Sequence, residues 1–140
     1  MNLWQASLVG GAAFREVGAL LGELDAAEAH TPVAGAPYTI AELLAHIAAT
    51  MRVSLDLIGG KVQAWPKGLD VWPAPPSNET DFAALLADLG FMLNEAEMLA
   101  QDPSAAGREI LLDLAVHNAY HWGQVALLRR MLGVDFASQT

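Results

Sequence analysis

The chain has 140 residues, 54% of them apolar and only 16% charged, no cysteine, and a formal charge of −9 from 16 acidic against 7 basic side chains. That size suits a single domain spanning 1–140, with roughly two thirds of its surface buried on folding. The acidic balance, without any basic run, disfavours nucleic acid and anionic membrane as partners, and the absence of thiols excludes disulfides and thiolate metal sites.

The amino-terminal stretch MNLWQASLVGGAAFREVGALL lacks a basic residue ahead of its apolar part, and Arg15 and Glu16 interrupt it early. It reads as mature structure rather than a secretory signal. A first helix is expected from about Asn2 to Asp25, with Leu3, Phe14, Val17, Leu21 and Leu24 on one side and Gly10-Gly11 as a kink or a point of close approach.

Thr39-Ile40-Ala41-Glu42 has the pattern of a capping box and should start a second helix. Its buried stripe is Ile40, Leu43, Leu44, Ile47, Met51, Leu55 and Ile58, and Gly59-Gly60 ends it. This is the most apolar window of the chain, yet Glu42, His46, Arg52 and Asp56 lie within it, which argues against a membrane span. The expectation is a soluble, cytoplasmic protein.

The next segment, GGKVQAWPKGLDVWPAPPSN, is nearly 20 residues long and carries Trp65, Trp72 and four prolines. Two tryptophans argue against disorder, so it is either a lid forming part of a substrate pocket over one end of the helices or a connector whose tryptophans cover the core. A third helix follows a cap at Ser77 or Asn78 and runs to about Gln101, burying Phe82, Leu85, Leu86, Leu89, Leu93 and Ala96. The fourth starts between Ser104 and Glu109 and stops at Gly133, with Arg129 and Arg130 placed to complement its dipole. Four amphipathic segments with no strand between them predict an all-α four-helix bundle.

At 3.6 residues per turn, Ile110, Leu114, His117, His121, Val125, Leu128 and Leu132 share a sector of about 80° on the fourth helix. Two imidazoles therefore stand one turn apart inside a predicted core stripe, where an unpaired polar group costs about 1 to 3 kcal/mol. Their spacing suits two nitrogens on one metal ion, although core histidines are also commonly hydrogen-bonded instead. Trp122 falls on the other side of that helix, suited to core or dimer packing.

His46, at the edge of the second helix's stripe, supplies a third candidate, whereas His30, beside Pro32 and Pro37, reads as solvated. Three imidazoles from two helices are the ligand count of an open, catalytic type of metal site. A carboxylate-bridged di-iron centre is excluded because no Glu-x-x-His pair occurs. Glu42, Asp113 and Gln124 lie within a turn of these histidines and could orient their rings, or simply cap and face solvent.

Two stretches, YTIAELLAHIAAT around His46 and HNAYHWGQVALLRRMLG from His117 to Gly133, together resemble the DinB/YfiT-like family of four-helix-bundle metalloproteins over nearly the whole chain. The resemblance implies His46, His117 and His121 as ligands of a divalent ion (zinc, nickel or iron) and a homodimer. It also implies a metal-dependent enzyme of thiol S-transferase or isomerase type acting on a small molecule, with a low-molecular-weight thiol as a further cofactor. The alternative is a non-catalytic dimeric bundle that binds a metal or ligand in a stress response. Hydrolysis by metal-bound water is a weaker expectation. Arg52, Lys61 and Lys67 are the cations available to an anionic thiol.

Overall fold

The computed structural model describes residues 1–136. Among them are six helices and no strand: α1 (Leu3–Val9), α2 (Val17–Leu20), α3 (Ala26–Ala29), α4 (Ile40–Ile58), α5 (Glu79–Leu99) and α6 (Ala105–Met131). The fold is all-α. Helix α4 packs on both α5 and α6, and α1 packs on the same two from the other side. Among the described residues no helix is long and apolar enough to cross a membrane.

The expected first helix is instead three short ones. Gly10 and Gly11 take φ of +83° and +96°, a left-handed conformation that ends α1, and a Cβ on Gly10 would stand 2.5 Å from the Arg15 carbonyl oxygen. Leu3, expected inside, is exposed; Leu8 and Val9 take its place in the core. α1 is held by its own capping box, Asn2 with Gln5, and by Asn2 Nδ2 donating to the Ala100 and Gln101 carbonyls at the end of α5.

A second break follows α2, and its open carbonyls are met from far away in sequence. Arg129 on α6, only 2% exposed, donates to the carbonyls of Leu20 and Gly22 at 2.8 and 2.9 Å. It also forms a two-pronged ion pair with Glu28 of α3 at 2.7 and 3.1 Å. This residue thus does more than complement the α6 dipole: it ties both short helices to α6 through hydrogen bonds that few side chains other than Arg supply from one planar group.

The longer helices start where their caps direct. Thr39 and Glu42 form the capping box of α4, Asn78 caps α5 by accepting from the Asp81 N–H, and Ser104 caps α6 by accepting from the Gly107 N–H. His30 is half-buried rather than solvated, because its Nε2–H donates to the Pro76 carbonyl at 2.7 Å and its ring meets the edge of Phe82. That bond anchors the carboxyl end of the long loop beside α3.

Two glycine substitutions separate the backbone roles. Gly10→Ala should lose more than about 1 kcal/mol in urea denaturation, because both its φ and its space exclude a Cβ. Gly90→Ala, in mid-α5 with nothing within 4 Å of the added carbon, should gain about 0.5 to 1 kcal/mol. Equal shifts for the two would contradict this account of the break after α1.

Candidate metal centre

α4 and α6 bring His46, His117 and His121 together, with one ring nitrogen of each within 4.8 Å of the other two. His46 and His121 are 5% and 7% exposed, and His117 is half-buried. The Nε2 atoms of His46 and His117 are 3.1 Å apart. The packed face of α6 is centred near Asn118, Trp122 and Val125, so the sector read from the sequence is rotated by about 50° from the one observed. The histidines accordingly sit on the flank of the interface with α4 and not at its middle.

Each Nδ1 faces an oxygen. His46 Nδ1–H donates to the Val71 carbonyl at 2.5 Å, His121 Nδ1–H to Gln124 Oε1 at 2.7 Å, and His117 Nδ1–H to Asn118 Oδ1 at 3.3 Å. Asn118 is itself fully buried and turns its amide nitrogen to the sulfur of Met51. With hydrogens on Nδ1, the neutral rings present Nε2 lone pairs to the space between them. Two such lone pairs 3.1 Å apart repel unless a cation or proton lies between.

Burial lowers the pKa of both His46 and His121 below the ordinary imidazole value. For His46 the bond to Val71 opposes the shift and the neighbouring His117 adds to it; for His121 the bond to Gln124 opposes it, while His117 and His46 add to it. Two of the three rings are therefore biased toward the neutral form, the form that binds metal. Nitrogens shared by one zinc-like ion at about 2.0–2.1 Å lie no more than about 4.2 Å apart, so a ring movement of about 1 Å would close the set on an ion. Residue type, tautomer and spacing thus fit a divalent cation.

The long loop reaches this centre. Trp72 stacks flat on His46, with ring centroids 3.7 Å apart and an 8° interplanar angle, and Tyr38 stacks on its other face at 4.5 Å. Trp65 stays 45% exposed. Sequence reasoning singled out Trp72 with its loop; it missed Asn118 and the backbone carbonyl of Val71, the second because a carbonyl leaves no residue-type signature. Tyr120, exposed on α6, lays its ring edge-on to His121 at 5.3 Å.

Of the expected supporting residues, Gln124 meets a histidine and two do not. Glu42 is engaged in the α4 capping box, and Asp113 is exposed and points to no histidine. Arg52 is not free for an anionic ligand, since it pairs with Asp56 at 2.8 Å and Glu95 at 2.9 Å, and these carboxylates raise its pKa. Trp122, expected in core or dimer packing, is enclosed in the core, although its Nε1–H meets no acceptor among the described residues.

A cavity of about 340 Å³ lies beside Gln124 and Tyr38, walled by Leu43, Leu127, Leu128 and Met131. Its volume falls in the range of small-molecule sites, and no basic residue lines it.

Trp72→Ala should cost about 1 to 2 kcal/mol by urea denaturation and speed amide exchange in residues 61–76, since it removes two stacked contacts. Trp65→Ala should change stability by less than about 0.5 kcal/mol; matching effects would show that Trp72 is not the anchor of the loop. No protein-family model matches the chain, nor does any curated protein or solved structure.

Proposed function

We propose that this chain is a divalent-metal protein of the DinB/YfiT-like four-helix-bundle kind, with His46, His117 and His121 as ligands, acting as a metal-dependent enzyme of thiol S-transferase or isomerase type on a small molecule. One observation carries the metal reading: three Nδ1 atoms face oxygens while the Nε2 atoms of His46 and His117 stand 3.1 Å apart. Without an ion, one of these nitrogens must carry a proton for the other, and on His117 that proton would leave the Asn118 oxygen without its donor. The pairwise packing of α1, α4, α5 and α6 supports the bundle reading.

A divalent ion held there supplies a Lewis acid that stabilises an anionic sulfur or oxygen at neutral pH. The chain's own residues supply the rest. Gln124, Asn118 and the Val71 carbonyl hold the ring orientations, Trp72 shields one face of His46 from water, and the apolar cavity beside Gln124 accepts the substrate.

Two observations favour a second reading, a metal-binding protein without turnover. No basic residue lines the cavity, which leaves an anionic thiol such as glutathione without a charged partner there. Glu42 and Asp113, the nearest carboxylates along the two helices, are engaged elsewhere or exposed, so neither is placed as a general base.

Elemental analysis of protein purified without tag or chelator should find close to one divalent ion per chain, lost in His46→Ala and in His117→Ala. Gln124→Leu, which removes the acceptor for His121 Nδ1–H, should keep the fold by circular dichroism and weaken metal affinity about 10- to 100-fold. Wild-type protein free of metal, with a Tm that added zinc or nickel does not raise, would sink the proposal. Consumption of a low-molecular-weight thiol with electrophilic substrates by the metal-loaded protein separates enzyme from binder; none across a panel selects the binder.

A further inference from the structure

Helix α6 turns a second apolar face outward. Leu112, Val116, Tyr120, Leu127 and Met131 are each more than half exposed, and together with Gly123 they form one stripe. The steps along it are 4, 4, 3, 4 and 4 residues, an order that reads the same from either end. Phe91 and Met98 on α5 are isolated exposures by comparison.

A palindromic stripe is what a helix needs to pair with an antiparallel copy of itself about a two-fold axis, where residue i meets residue j and j meets i. With that axis between His121 and Trp122, Leu112 meets Met131, Val116 meets Leu127, and Tyr120 meets Gly123 of the other copy. The bulk is complementary: the only large ring of the stripe falls opposite its only glycine, whose Cβ position is open to at least 4 Å. A groove of about 780 Å³, floored by Ala119, Trp122 and Ala126, opens beside Gly123 and gives the incoming ring space to lie.

Burying five large, mostly exposed side chains on each of two copies removes on the order of 1,000 Å² from water, the threshold of a specific interface.

We propose that the outward face of α6 is a homodimer interface in which two copies pair antiparallel about an axis between residues 121 and 122. The contact spans about 28 Å of helix from Leu112 to Met131. None of the three histidines belongs to the stripe itself.

The absence of native cysteine makes the register directly testable. Mixing Val116→Cys with Leu127→Cys protein under mild oxidation should give the mixed disulfide, while Val116→Cys alone should not self-link, its two copies standing about 16 Å apart along the helices. Gly123→Phe, unobstructed in the single chain, should leave the helical spectrum intact and yield a monomer by sedimentation. A monomer at all concentrations from micromolar to near-millimolar, preferential Val116→Cys self-linking, or Gly123→Phe dimerising like wild type would each overturn the proposal. So would a stripe that binds lipid vesicles while the chain stays monomeric.

Discussion

An imidazole can be taken out of water only where its N–H finds an acceptor, and that requirement organises the centre of this protein. Leaving the donor unmet costs about 1 to 3 kcal/mol per ring. The acceptors come from three kinds of source: the Val71 carbonyl for His46, the Gln124 side chain one turn on for His121, and the buried Asn118 for His117. The loop must therefore run against α4 at residue 71, which in turn lays Trp72 over His46 and Tyr38 over Trp72. Meeting the Nδ1 hydrogens fixes the tautomers, and fixed tautomers leave Nε2 as the basic atom. The chemistry of the centre follows from the solution to a burial problem.

A similar demand holds the amino-terminal third. Breaking a helix twice within 25 residues frees carbonyls that must be bonded, and the buried Arg129 bonds two of them while neutralising Glu28. Its guanidinium is nearly inaccessible, so the arrangement is stable only because each charge and each carbonyl is paired. α6 thus carries polar anchors on both sides of its packed face. One set orients the histidines and the other docks α2 and α3.

What was legible in the sequence is what depends on near neighbours. The capping box at Thr39 and Glu42, the extent of α4, α5 and α6, and the pairing of His117 with His121 on one face follow from spacings of three or four residues. The expectation that His46 joins them rests instead on its place at the edge of the α4 stripe and on the family resemblance. The breaks in the first helix were not legible, because the Gly10 turn is set by the close approach of the Arg15–Glu16 backbone and the second break by an arginine over 100 residues away. The rotation of α6 was misread for a related reason. Its packed face includes Asn118 and Arg129, which hydropathy scores as outward, while Leu112, Val116 and Leu127 face out. Hydropathy alone finds the more apolar side of a helix, not the side that is buried.

That misreading also locates the apolar excess of the chain. A composition of 54% apolar residues exceeds what one core of this size must hold, and a good part of the surplus stands in a line on the outer face of α6. Tyr120 belongs to that line and also touches His121, with the ring centroids 5.3 Å apart. A second copy seated on the stripe would fix Tyr120 against Gly123, and Tyr120 in turn limits how far the His121 ring can move outward. Pairing and ligand geometry would then share a side chain, with α6 facing the proposed metal on one flank and its own copy on the other.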